Sequence, residues 1–349
     1  MATRTRPRFM TSMCLSKVLF VALGALFVAQ VHAGLVFVDF IDTSSAGFGP
    51  EGITVDRATG EILFVGGHNF EDGEESVGGT STLVRITADG FVSTQINLGD
   101  VEGIYRLGDD SYRISDSGDK DDPGVIEDGS VLFEIDGQGT VQGDQLDLII
   151  TGIGDDHIHP DGVFAFAADS DSDRGAPADN LWVADESHEM VYTFNSDGEL
   201  LSSFETESIS PKFEEPEGIE IDPISGNLLI ADDSGGLSRV IELTLQGALV
   251  QSFDMQALTS EIGGFDDPEG LFVREAGGTT PIVGFDDDNF GHLLLVAFDN
   301  QEAIGIFSIE PGAAGSSHLL LPEPGTLALL FAAMAGTLLV PRRHRSRRA

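Results

Sequence analysis

Cysteine and basic residues are scarce in this sequence. Its 349 residues include one cysteine and only 18 Lys or Arg against 59 Asp or Glu, which gives a formal net charge of −41. One cysteine excludes a disulfide scaffold. A surface this negative repels a polyanion, so we expect no nucleic acid partner. Long helices and coiled coils are also disfavoured, because the chain has 43 glycines and glycine destabilises helix interiors.

The first 33 residues predict a secretory signal peptide. Four basic residues lie before or at the start of a short apolar run, 18–29, and the small residues Val31 and Ala33 indicate cleavage after Ala33. The run is short for a bilayer span, so a retained membrane anchor is the weaker alternative. Cys14 precedes the run and would be removed with it. The exported chain would then contain no cysteine.

The other end of the chain has three parts in a fixed order. The motif Pro322-Glu323-Pro324 is followed by an apolar stretch, 326–340, and an arginine-rich end, 341–349. A helix of that length spans about 22 Å, so it would cross a bilayer only with local thinning or with help from its flanking residues. Arginines after an apolar stretch favour a cytoplasmic end. The sequence therefore predicts a C-terminal transmembrane helix.

This C-terminal segment, residues 322–349, resembles the PEP-CTERM sorting signal. The resemblance implies recognition by an exosortase-type sorting enzyme, transient insertion into the inner membrane, and cleavage near the motif. It also implies delivery to the cell surface or the extracellular matrix. A permanent tail anchor is the alternative, and both readings place the rest of the chain outside the cytoplasm.

Without its two ends the chain is still more acidic. Nine basic residues remain against 58 of the 59 acidic ones, a net charge of about −50. Such a surface attracts divalent cations. Carboxylate oxygens suit Ca²⁺, so Ca²⁺ is the cofactor that we expect, with another divalent metal as the alternative.

The region between the ends is an internal repeat. A Glu-Gly or Asp-Gly pair followed by Ile, Val or Leu occurs five times, and its glycines are 51, 59, 56 and 52 residues apart: Gly52, Gly103, Gly162, Gly218 and Gly270. Each period before the last contains four short strand-like runs separated by turns such as Asp-Gly and Ser-Gly. Four antiparallel strands repeated at this period predict an all-β fold, the β-propeller. We count five four-stranded blades, or six if one insertion hides a degenerate blade.

The last period lacks a fourth strand. Its second and third strands are expected at 293–297 and 304–309, whereas an unmatched strand-like run, 35–40, follows the signal peptide. We therefore predict that this N-terminal strand pairs with the last blade and closes the ring, which removes exposed strand edges. The predicted organisation is a signal peptide (1–33), a propeller (34–311), a linker (312–321) and the sorting segment (322–349).

The blade motifs resemble those of NHL, TolB-like and gluconolactonase-type propellers. The similarity covers most of residues 35–311 and implies the architecture, but these folds have many functions. Gluconolactonase-type propellers place a metal, held by Glu, Asn and Asp, at the channel mouth. Glu51 matches this pattern by motif, and Asp185 and Asp232 match it by position; the Asn ligand has no clear counterpart.

Strand order predicts where acidic residues gather. The first strand of a blade starts, and the second ends, at the same face, so residues at both positions should surround the mouth of the central channel. The candidates are Glu51, Glu102, Asp116, Asp161, Asp185, Glu217, Asp232, Glu269 and Asp299. A structural role is the alternative, because an Asp after a strand often accepts hydrogen bonds in a turn and a feature present in every blade lacks the asymmetry that catalysis needs.

Two asymmetric clusters are further candidates. His157, His159 and Asp161 could hold a transition metal or provide a general base, although such loop histidines are often incidental. The alternating carboxylates Asp169, Asp171 and Asp173 are similar to part of a calcium loop, but glycine and glutamate are missing from the two later positions that complete it. A solvated acidic loop is the alternative there.

Two functions follow from these features. The first is an exported binding or scaffold module that binds Ca²⁺ and contacts an extracellular polysaccharide or protein. The second is a metal-dependent hydrolase, acting on lactones, esters or phosphoesters at the channel mouth. No Gly-x-Ser-x-Gly, phosphate-loop or His-Glu-x-x-His motif is present. A Ser/His/Asp site assembled from distant positions stays open.

Overall fold

A computed structural model describes most of the region between the two ends. The described residues are 33–66, 81–98, 101–108, 110–116, 131–148, 162–165, 180–186, 188–209, 213–274, 281–283, 285 and 290–311. Over these ranges the strands form five antiparallel sheets of four strands each. This confirms the predicted all-β propeller with five blades.

Each of the first four blades is built from consecutive strands. Blade 1 contains β2 (Ile53–Val55), β3 (Ile62–Gly66), β4 (Ser81–Thr87) and β5 (Gly90–Ile96). Blade 2 contains β6 (Val101–Gly108), β7 (Ser111–Asp116), β8 (Val131–Asp136) and β9 (Val141–Asp147). Blade 3 contains β10 (Gly162–Ala165), β11 (Leu181–Asp185), β12 (Met190–Phe194) and β13 (Leu200–Glu205). Blade 4 contains β14 (Pro216–Ile221), β15 (Leu228–Asp232), β16 (Arg239–Leu243) and β17 (Leu249–Asp254).

Blade 5 combines the two ends of the propeller. It contains β18 (Pro268–Arg274), β19 (His292–Phe298), β20 (Ala303–Pro311) and, as its outer strand, β1 (Ala33–Asp42). β1 is antiparallel to β20, with Leu35 opposite Ile309 and Phe40 opposite Gly305. The predicted closure by the N-terminal strand is therefore confirmed. A four-residue helix, α1 (Met255–Leu258), precedes this blade, and the Asp254 side chain caps it by accepting from the Ala257 amide.

Apolar side chains fill the spaces between the blades. Five buried clusters each join two neighbouring sheets, and one of them joins blade 5 to blade 1 through residues such as Leu295 and Ile62. β3 and β15 are buried along their whole length, because inner strands are covered on both faces by the adjacent blades. The core is thus continuous around the ring, and the ring closes between its last and first blades.

None of the helices within the described ranges is long and apolar enough to cross a membrane. The predicted sorting helix, 326–340, lies outside these ranges, as does nearly all of the predicted signal peptide.

Candidate functional site

Four glutamates of the repeat line one cavity at the ring axis. Glu102, Glu217 and Glu269 are the second residues of β6, β14 and β18, and Glu51 lies two residues before β2. These side chains surround a cavity of about 20 Å³ together with the Gly and the Ile or Leu that follow each of them. The structure therefore brings together four of the predicted mouth residues. The corresponding residue of the third repeat, Asp161, lies outside the described residues.

A local irregularity in three blades carries the Glu-Gly pair. The register of β6, β14 and β18 with the next strand shifts across Glu102-Gly103, Glu217-Gly218 and Glu269-Gly270. Such bulges bend a strand and re-aim its side chains. The repeated Glu-Gly motif thus marks the position where each inner strand departs from regular pairing beside the channel.

The glycine of the motif is required by close packing. A Cβ added to Gly52, Gly218 or Gly270 would lie 2.2 Å from the carbonyl oxygen of a glutamate in the next blade: Glu102, Glu269 and Glu51 respectively. Only glycine permits such an approach of two backbones. The repeat therefore has a structural role at the ring axis as well as supplying the carboxylates.

Two of the aspartates at the ends of second strands stabilise the turns that follow them. Asp185 is fully buried and accepts from the amide of His188 at 3.0 Å, while Nδ1 of His188 lies 2.9 Å from its other oxygen. Asp232 is also fully buried; it forms an ion pair with Arg239 and accepts from the Ser234 amide at 3.4 Å. These contacts are those of the structural alternative, in which aspartates after strands stabilise the turn.

The other predicted residues are placed as follows. Asp299 follows β19, and its carbonyl accepts from the Glu302 amide at 2.9 Å. Asp116 is the last residue of β7, and its side chain is not among those that the structure describes. The residues of the two predicted loop clusters also lie outside the described residues: His157, His159, Asp169, Asp171 and Asp173. The sorting motif Pro322-Glu323-Pro324 lies outside the described residues as well.

Sequence reasoning missed Asp267, which extends the acidic mouth. Its φ of 63° is left-handed, a rare conformation for a residue other than glycine. The Asp267 amide donates to Ser238 Oγ at 3.1 Å, and the neighbouring Asp266 amide donates to Gln301 Oε1 at 2.9 Å. These contacts fix the loop before β18, and the Asp267 carboxyl lies within hydrogen-bonding distance of Asp233 and Glu269.

Crowded, partly desolvated carboxylates favour protonation here. Burial has the largest effect on Asp267 and the hydrogen bond with Asp233 the next largest, and the pKa of Asp267 is raised to about 7. Burial also raises the pKa of Glu269, with Asp267, Glu51 and Asp299 adding to the effect. The pKa of Glu215 is raised by burial and nearby carboxylates as well. Among the described residues, the acidic crowding is thus strongest around Asp267 and Glu269, between blades 4, 5 and 1.

A sequence signal for this asymmetry exists. Pro216 and Pro268 begin β14 and β18, and each is preceded by two acidic residues, Glu214-Glu215 and Asp266-Asp267. The corresponding pair in blade 1, Phe48-Gly49, is uncharged. Comparing the residues before each proline would have singled out blades 4 and 5.

We expect the free energy of unfolding to rise by about 1–2 kcal/mol between pH 8 and pH 5 in a chelator. The folded chain binds the Asp267 proton more tightly than the unfolded chain does, so this stabilisation is complete below about pH 4 and is lost as the pH rises through about 7. The full pKa shift of Asp267 corresponds to about 4 kcal/mol of stability. We expect a smaller change because solvent screens the half-exposed carboxyl group.

Urea unfolding at both pH values measures this effect. Asp267→Asn should remove most of the rise, whereas Asp197→Asn, in the exposed β12–β13 turn, should leave it unchanged. The same rise in both variants would show that Asp267 is not its source.

No group of three or more His, Cys, Asp or Glu within the described ranges is placed as a ready-made metal site. The acidic mouth offers hard oxygen ligands, the type that Ca²⁺ prefers. A cation there would need water molecules or side-chain movement to complete its coordination.

No protein-family model matches the chain, and no curated protein matches it either. Among solved structures, a chain of the nidogen/laminin complex is 16% identical over 71% of each chain, with a TM-score of 0.38. A luciferin-regenerating enzyme is 13% identical over 82% of this chain and 99% of that one, with a TM-score of 0.39. A functionally unknown protein from Desulfotomaculum acetoxidans is 13% identical over 77% and 73%, with a TM-score of 0.38.

Proposed function

We propose that this chain is an exported, surface-sorted β-propeller that serves as a binding or scaffold module, with Ca²⁺ at its acidic mouth. The signal-like beginning and the sorting-type end support export and delivery to the surface or matrix. The carboxylates of Glu51, Glu102, Glu217 and Glu269 around one cavity support the cation. Its expected ligand is an extracellular polysaccharide or protein.

The size of the cavity is the main observation in favour of a bound cation. About 20 Å³ is room for a water molecule or an ion, whereas pockets for small organic ligands measure several hundred cubic ångströms. The site therefore favours a cation over an organic substrate.

Binding should be weak, in the range of about 0.1–1 mM that extracellular calcium modules show. Charge repulsion among the glutamates favours a cation, but the described carboxylates do not form a complete coordination sphere. Such an affinity still suits a secreted protein, because Ca²⁺ is plentiful outside cells.

We expect Ca²⁺ at about ten times its dissociation constant to raise the melting temperature by about 3 °C, since binding to the folded chain alone adds roughly 1.4 kcal/mol. Calorimetry of the exported full chain at pH 8 tests this. The double variant Glu217→Gln and Glu269→Gln should lose the rise. Glu199→Gln, in an exposed turn on the other face, should keep it. An equal rise in both variants would place the cation elsewhere.

One observation favours the metal-dependent hydrolase. A carboxyl group whose pKa is raised to about 7, such as Asp267, suits a general acid or base at neutral pH. The discriminating experiment is a panel of lactones, esters and phosphoesters with the calcium-loaded chain. Turnover that disappears in Asp267→Asn, with the melting temperature retained, would replace the module by the enzyme.

A further inference from the structure

The chain enters and leaves the propeller at one place. Ala33, the first residue of β1, is the register partner of Pro311, the last residue of β20. Antiparallel partners have Cα atoms about 5 Å apart. The predicted signal peptide ends at Ala33 and the predicted linker starts at residue 312. Both membrane-directed segments therefore adjoin the propeller side by side.

That place is on the face opposite the acidic mouth. At the other end of the same strand pair, Asp42 lies opposite Ala303, and the Thr43 amide donates to the Glu302 carbonyl at 2.7 Å. Glu302 follows Asp299, which hydrogen-bonds to the Asp267 carbonyl at the mouth. β1 and β20 thus run from the mouth side, at Asp42 and Ala303, to the far side, at Ala33 and Pro311.

Charge is divided unequally between the two faces. The mouth side carries the carboxylates of the site, and Arg239 there is paired with buried Asp232. Five other arginines of the described ranges lie toward the far side, where Arg85 is ion-paired with Glu61 and Asp110. They lie in the β2–β3 turn, late in β4, near the ends of β6 and β18 and early in β7: Arg57, Arg85, Arg106, Arg274 and Arg113. Anionic lipid headgroups attract arginine and repel carboxylates. An anionic bilayer therefore disfavours the mouth face.

We infer that the membrane-anchored chain stands with the Ala33–Pro311 face toward the bilayer and the acidic mouth away from it. The inference rests on the proposed export and C-terminal anchoring. Pro311 and Pro322 are eleven positions apart, which limits the distance between this face and the sorting motif to about 40 Å. A partner of the mouth then approaches from the side away from the membrane, before the sorting segment is cut.

Two single-cysteine variants test the orientation in the full chain with Cys14→Ser. Ser196→Cys places a fluorophore in the exposed β12–β13 turn on the far face, and Ser45→Cys places it in the exposed turn after β1 on the mouth face. Each labelled chain is reconstituted into phosphatidylcholine–phosphatidylglycerol vesicles with an acceptor dye on the lipid headgroups. The strands separate the two positions by roughly 20 Å along the ring axis. We expect at least about twofold greater energy transfer from position 196.

Equal transfer from the two positions, or greater transfer from position 45, would overturn the orientation while leaving the proposed function intact. Flotation of the vesicles is measured first. If the chain does not float with them, C-terminal anchoring fails, and the orientation fails with it. Flotation with unequal transfer in the expected direction supports both.

Discussion

Replacing Gly270 by alanine should lower the free energy of unfolding by about 3 kcal/mol or more. The added Cβ would lie 2.2 Å from the carbonyl oxygen of Glu51 and 2.8 Å from the amide nitrogen of Ile53. Both are backbone atoms beside the innermost strand of blade 1, so no rotation of a side chain relieves the clash. Blades 5 and 1 must separate instead, and this breaks the packing at the point where the ring closes.

Urea unfolding of Gly270→Ala beside Gly291→Ala measures the effect. Gly291 is exposed just before β19, and a Cβ added there meets nothing within 4 Å. We expect Gly291→Ala to stay within about 0.5 kcal/mol of the parent chain. Gly218→Ala should behave like Gly270→Ala, because its Cβ would lie 2.2 Å from the Glu269 carbonyl. Equal stability of Gly270→Ala and Gly291→Ala would contradict the close packing of the inner strands.

The blade architecture was predictable because its signals are local. Hairpin turns and short apolar runs recur at a regular period, and β19 and β20 begin and end within one or two residues of the predicted bounds, 293–297 and 304–309. The closing strand was predictable for a different reason. The last period is one strand short, and Leu35 begins a run of the missing type; the register of Leu35 with Ile309 confirms that pairing.

The site was only partly predictable, because its chemistry depends on neighbours far apart in the sequence. The four repeat glutamates followed from strand order. The contact of Gly270 with Glu51, or the crowding of Asp267 by Asp233, exists only once the ring is closed. Burial likewise decides the role of Asp232: its pairing with Arg239 is a tertiary contact that no local pattern contains.

A variant that lacks residues 34–42 should lose the monomeric closed ring. β1 forms nine register pairs with β20. Leu35 is fully buried, and the Phe37 ring packs edge-on against Phe307 at 5.5 Å and against Phe265 at 6.4 Å. Losing the burial of Leu35 costs about 2–3 kcal/mol, and each aromatic contact adds about 1 kcal/mol. The deletion also exposes the edge of β20, which promotes pairing with other chains.

Size-exclusion chromatography and thermal unfolding with and without a synthetic peptide of residues 33–42 show whether this strand closes the ring. The truncated variant alone should aggregate, and the peptide should restore a monomer by pairing with β20. A peptide with Leu35→Ser and Phe37→Ser should fail, because it keeps the backbone hydrogen bonds but loses the buried side chains. Rescue by both peptides would assign closure to backbone pairing alone. A truncated variant that stays monomeric with an unchanged melting temperature would show that blade 5 is stable with three strands, and the ring would then not depend on β1.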